Sequence, residues 1–335
     1  MWTVSDVREF TLQRLDNRPQ HRFFIGLILC SILAMTAAAP VDLDVTAALG
    51  RHPWPALTDF MGRTLFEGQL PGANDPFVLL LLAALAVHLT AWARPGNRKW
   101  NALRPQAGFI LISALVVAFL MMHVIKLSQG RARPDLVFNH DWPFTPWFAI
   151  GPHFIGDGIF RGSFPSGHTA QTFATMAFGY ALACDPYAGH RQRLLGVAWG
   201  VAALGMSLVM GVARCMSLSH WLTDVVGSVC LGWIVMHGIY FYLLRVPGQR
   251  IYYQTHGDHL PMPAFWEMRL GGWLTLSALG LLEVLNGLRA LWLGRSLWLA
   301  WLMPLGAALI YAALRKAVCL HRRLASGLAA PADRG

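Results

Sequence analysis

Eight residues in three short stretches are suited, by side chain or backbone N–H, to handling a phosphoryl group: Lys126 and Arg133, then Ser166, Gly167 and His168, then Arg214, His220 and Asp224. Lys126, Arg133 and Arg214 are cations, and the two guanidiniums present forked N–H groups that match phosphate oxygens. Pro165 and Gly167 mark a helix start, where the N–H groups of Ser166, Gly167 and His168 and the positive end of the helix dipole favour an anion. His220 and Asp224 stand four apart. On a helix they share one face, so the carboxylate accepts the Nδ1 proton and leaves Nε2 free. Such a nitrogen can attack phosphorus to give a phosphohistidine. His168 can then protonate the leaving oxygen and later activate water. The cationic cluster takes the part that a divalent metal plays elsewhere, so the scheme calls for no metal and no cofactor.

Each of these residues also has an ordinary reading. A lone Lys or Arg at a helix end snorkels to the membrane surface, and a lone His packs between helices. An i, i+4 His and Asp pair is often only a helix-surface bond, and Pro-Ser-Gly-His is a short turn. Convergence on one place separates the two readings, and that depends on the elements carrying the stretches.

Those elements belong in a membrane. Of 335 residues, 55% are hydrophobic and only 13% charged, which excludes a disordered or coiled-coil chain. Apolar spans run over 23–39, 77–93, 107–125, 169–184, 194–212 and 221–244, with two weaker ones at 270–287 and 297–314. Each approaches the roughly 20 residues a helix needs to cross a hydrocarbon core. Eight transmembrane helices are expected.

Orientation follows from Lys and Arg. Arg8, Arg14, Arg18 and Arg22, then Arg94, Arg98, Lys99 and Arg104, then Arg191 and Arg193, then Arg245, Arg250 and Arg269, and finally Arg315, Lys316, Arg322 and Arg323 all fall on one side of that topology. The positive-inside rule makes this side cytoplasmic and places both termini there. The connections 40–76, 126–168 and 213–220 then face outward, the first carrying Asp42, Asp44, Asp59, Glu67 and Asp75. The stretch 127–165, rich in Pro, Gly and aromatics, reads as a folded surface loop that includes His140, Asp141 and His153. Lys126 and Arg214 end the third and fifth spans, while His168 and His220 open the fourth and sixth. Four helix ends must therefore share one face.

The expected architecture is all-α, a polytopic membrane helical bundle. It comprises a cytoplasmic leader (1–22), a six-helix transmembrane core (23–246), a cytoplasmic linker (247–269) and a C-terminal transmembrane helical pair with a basic tail (270–335). The net charge of +10 concerns topology and anionic lipid, since no nucleic-acid recognition module is visible. Cysteines 30, 184, 215, 230 and 319 suggest no disulfide framework and no zinc site. His88, His123 and His237 read as packing residues, and Trp142, Trp147 and Trp221 as interface anchors.

The three stretches together resemble the signature of the type 2 phosphatidic acid phosphatase family: Lys126 with six residues before Arg133-Pro134, then Pro165-Ser166-Gly167-His168, then Arg214 with five residues before His220 and three more before Asp224. Ala213 departs from it, where the family often has Ser. The resemblance implies a metal-independent lipid phosphate phosphatase in the bacterial inner membrane, with a six-helix phosphatase core and a periplasmic active site. It makes His220 the nucleophile, Asp224 its orienting partner, His168 the general acid, and Lys126, Arg133, Ser166, Gly167 and Arg214 the phosphate binders. Candidate substrates are polyprenyl diphosphates, phosphatidylglycerol phosphate, phosphatidic acid and lipid A phosphates. A lipid phosphotransferase on the same scaffold and a non-catalytic anion or lipid transporter are the alternatives. A serine hydrolase using Ser166 lacks a GxSxG elbow, and vanadium haloperoxidases share the motif set but in soluble chains.

Overall fold

The computed structural model describes residues 18–63, 71–150, 161–256, 260–292, 294 and 297–329. Arg8, Arg14, Glu67 and His153 lie outside the described residues, within which all regular structure is helical. Helix α1 spans Arg18–Ala38, α2 Asp42–Arg51, α3 Pro55–Gly62 and α4 Asp75–Ala93. Helix α5 runs from Arg98–Ser113 through a π-helical stretch, Ala114–Leu120, into Met121–Gln129. After α6 (Pro134–Asn139) come α7 (Gly167–Ala174), α8 (Met176–Ala183), α9 (His190–Met216) and α10 (Leu222–Gly238). The chain ends with α11 (Val246–His256), α12 (Trp266–Trp292) and α13 (Leu302–Ala329).

Among the described residues seven helical segments are long and apolar enough to cross a membrane, one fewer than the sequence suggests. The difference lies at the fourth span, which breaks into α7 and α8 at Thr175. There the Thr175 hydroxyl bonds back to the Thr172 carbonyl at 2.7 Å, and the Trp199 indole N–H takes the Thr175 carbonyl at 2.9 Å. A side chain and an indole thus satisfy groups that a continuous helix would pair internally. The outward connection 40–76 is likewise no open loop, since it contains α2 and α3. The stretch from 247 contains α11, whose Gln249, Arg250 and Tyr253 are buried.

The core lies between α5, α7, α8, α10 and α12, filled by Phe109, Phe173, Met176, Tyr180, Met236, Tyr240 and Trp266. Outward faces expose Ile25, Leu29 and Leu33 on α1 and Leu194, Leu195 and Val201 on α9. Such faces are stable against hydrocarbon, where apolar side chains need no protein cover. Helix α12 packs along α13 and also against the last turns of α5, so the terminal pair buttresses the core.

Buried ion pairs close one end of the bundle. Arg104 grips Glu267 with two bonds of 2.9 and 2.8 Å, and Arg250 reaches Asp185 at 2.8 Å. Lys126 lies 22 residues further along α5, about 33 Å up the axis, so the two charged layers stand roughly a hydrocarbon core apart. Glu267→Ala would leave the buried Arg104 guanidinium uncompensated. It is expected to destabilise the protein by about 3 kcal/mol, read as a lowered unfolding midpoint in detergent.

Candidate active site

Lys126 enters the site because Gly130, in the left-handed conformation at φ 63°, ends α5 one turn later. The chain then crosses in extended form to Arg133, the residue before α6. Lys126 is 2% exposed, and its Nζ donates to the Ser163 carbonyl at 3.2 Å. A Cβ on Gly167 would lie 3.9 Å from Lys126 Cε, so the first and second stretches are in contact.

Ser166 caps α7: its Oγ accepts from the Thr169 hydroxyl at 2.9 Å and from the Thr169 amide at 3.5 Å. Its own amide is not available to a ligand, contrary to the sequence expectation, because the Asp224 carbonyl accepts it at 3.1 Å. The amides of Gly167 and His168 are first-turn groups with no acceptor inside the helix. The Ser228 hydroxyl donates to the Ser166 carbonyl at 2.9 Å, pinning the start of α7 to α10.

The third stretch is a reversal between α9 and α10. The Arg214 carbonyl accepts the amides of Ser219 and His220 at 3.0 and 3.2 Å, which folds the nucleophile candidate back over the end of α9. His220 is therefore not on the helix, and the shared-face argument is corrected. Asp224 stands in the first turn of α10, where Oδ2 accepts both from the Trp221 amide at 2.9 Å and, at 3.3 Å, from His220 Nδ1. The expected pair forms, but through a helix-capping carboxylate. Trp221 is fully buried with its indole N–H on the Ala132 carbonyl at 2.8 Å, so it is no interface anchor. The indole ties the start of α10 to the 130–133 crossing, a role invisible in its sequence position.

Burial pushes the His220 imidazole down to about 3, with the Lys126 and Arg133 charges lowering it further against the pull of Asp224. His168 is held at about 4, first by burial and then by the Arg214, Lys126 and Arg161 charges, while the Gly62 carbonyl accepts from its ring. Values this low favour the neutral form of both rings at pH 7, the form a nitrogen nucleophile needs. Lys126, Arg133, His168, Arg214 and His220 thus act on one another electrostatically, as convergence requires. Among the described residues no group of three or more His, Cys, Asp or Glu could hold a metal ion.

Four contributors were given no site role by the sequence reading. Arg161 adds a cation beside Lys126, Arg133 and His168. Arg131, fully buried, binds Asp224 Oδ1 at 2.6 Å and Asp42 Oδ2 at 2.7 Å. Asp42, counted above among the outward acids, is itself 1% exposed. Gly62 ends α3 against the site, and a Cβ there would stand 2.8 Å from Arg214 Nη2. Gly62→Ala is accordingly expected to leave the unfolding midpoint within a degree or two, because only the tip of a long side chain must move, yet to raise KM about tenfold by displacing the guanidinium. Steady-state kinetics beside a thermal melt checks both halves.

Residues 107–246 match the PAP2 superfamily, an interval containing all eight residues of the three stretches. A lipid A 1-phosphatase of Rhizobium etli (strain ATCC 51251 / DSM 11541 / JCM 21823 / NBRC 15573 / CFN 42) is 26% identical over 212 residues, covering 61% of this chain and 79% of that protein. A lipid A 1-phosphatase of Rhizobium johnstonii (strain DSM 114642 / LMG 32736 / 3841) is 26% identical over 211 residues, covering 61% and 75%. No solved structure matches the chain.

Proposed function

We propose that this chain, whose residues 107–246 match the PAP2 superfamily, is a membrane lipid phosphatase that removes a phosphate through a phosphohistidine on His220. The observation that carries the reading is the buried His220 imidazole, bonded through Nδ1 to Asp224 at 3.3 Å and under the influence of the Lys126 and Arg133 charges. A transporter would need the cations but not that bond. Lys126, Arg133 and Arg214, with the Gly167 and His168 amides, hold the phosphate oxygens. Ser166 holds the loop that presents them.

The His220 Nε2 lone pair attacks phosphorus, and the bond from phosphorus to the lipid oxygen breaks. Asp224 stabilises the resulting phospho-imidazolium through Nδ1–H. The His168 proton on the Gly62 side stays put, and the negative charge of bound phosphate favours a second proton on the opposite nitrogen. That proton passes to the leaving lipid oxygen. Neutral His168 then takes a proton from water as the water oxygen attacks the phosphohistidine, which releases inorganic phosphate and restores His220. The scheme uses fixed cations for charge stabilisation and needs no metal.

The relatives' names favour a phosphate of the lipid A class as substrate. We place the protein in the inner membrane with both termini cytoplasmic and the site periplasmic, on the distribution of Lys and Arg. We divide the chain into a leader (1–22), the phosphatase core (23–246), a linker (247–269) and a terminal helical pair with its tail (270–335). The test is phosphate release by purified protein from lipid A, phosphatidic acid, phosphatidylglycerol phosphate and polyprenyl diphosphate, with and without chelator. Release from lipid A that resists the chelator is the expected result. Label appearing on an added acceptor lipid instead of in free phosphate would make it a phosphotransferase, and no release from any of the four would remove the reading.

A further inference from the structure

Asp224 is held on both oxygens, and the second hold leads away from the reacting atoms. Oδ2 takes the Trp221 amide and His220, whereas Oδ1 takes Arg131 Nη1 at 2.6 Å. The same guanidinium reaches Asp42 Oδ2 at 2.7 Å through Nη2, the Thr223 hydroxyl at 2.8 Å through Nη1, and the Thr145 carbonyl at 2.7 Å through Nε. Asp42 also accepts from the Thr223 amide at 2.8 Å and the Thr223 hydroxyl at 2.6 Å. Side-chain exposures are 0% for Arg131 and Asp224 and 2% for Asp42, so water screens none of these charges.

We propose that Asp42 and Arg131 are positioning residues for the nucleophile, forming with Asp224 and His220 a four-member chain that aims the imidazole and keeps negative charge on Asp224. Arg131 alone would draw the Asp224 carboxylate toward itself and away from His220. Asp42 supplies a second carboxylate, so the three buried charges sum to one negative. That remainder is what a phospho-imidazolium on His220 needs beside it. Asp42 stands at the start of α2, outside residues 107–246, so a segment beyond the matched interval completes the site.

The inference rests on the phosphatase reading, and the two are tested apart. In full-length protein in detergent, Asp42→Asn, which keeps the shape and removes the charge, is expected to lower kcat at least tenfold. KM and inhibition by inorganic phosphate should change less than threefold. The low-field N–H proton of His220, assigned by its loss in His220→Ala, should move upfield. Should that variant not accumulate, Arg131→Lys, which keeps a charge but loses the fork, carries the same expectations. A lowered unfolding midpoint with unchanged kcat per folded molecule and an unmoved resonance would make the Asp42 pair structural only and overturn the inference. If the native protein releases no phosphate from any lipid, the phosphatase reading falls, while the resonance still decides whether the chain acts on His220.

Discussion

His220→Ala is expected to reduce phosphate release by at least about 10⁴-fold, because no other group can take over the first displacement. Asp224 is fully buried and occupied on both oxygens, so it cannot serve as the replacement nucleophile. The variant should fold and insert, since among the described residues the His220 side chain bonds to Asp224 alone and the Trp221 amide still caps onto Asp224. Its unfolding midpoint and its retention of inorganic phosphate therefore serve as controls. Radiolabelled lipid quenched in acid and base distinguishes the intermediate, as a phosphohistidine survives base and is lost in acid. Native protein should show such label and the variant none. Residual turnover near the native rate would mean that water attacks the substrate directly, and the covalent scheme would be withdrawn.

Arg214→Lys should cost about 10²-fold in kcat/KM although it preserves charge. The guanidinium stands at the end of α9, with Gly62 on one side and the His168 ring under its influence. A lysine ammonium offers a point charge with three donors, so it loses the two-pronged contact with the equatorial oxygens. It also keeps a large hydration shell that a buried site strips away at a cost. Kinetics over a range of substrate concentrations, with the midpoint of thermal unfolding as control, reads the effect. A loss below threefold would remove Arg214 from the phosphate clamp.

The gathering of the three stretches into one region was legible in advance because membrane topology is a strong constraint. Apolar length defines spans, spans alternate direction, and four helix ends must then share a face; Lys126, His168, Arg214 and His220 meet there. The fourth span misled because hydropathy registers its length and is blind to the Trp199 indole that captures the Thr175 carbonyl. The His220 and Asp224 pair was anticipated for the wrong reason. Spacing of four suggests a shared helical face, yet the bond forms across a helix start, where an acid at the third position reaches backward. Trp221 was misplaced because an aromatic near a span end is typical of the interface, and only packing reveals that its N–H is taken inside.

Composition, apolar periodicity and three motif spacings by themselves determined the all-helical membrane architecture and eight candidate site residues, since those properties depend on local chemistry and on the thickness of a bilayer. The tertiary structure alone decided which charges are shared. Asp42 and Arg131 lie 89 positions apart, and Gly62 meets Arg214 across a still longer interval. Pairings over such separations leave no periodic trace, because they arise from how α2 docks against the 130–133 crossing and α3 against the end of α9.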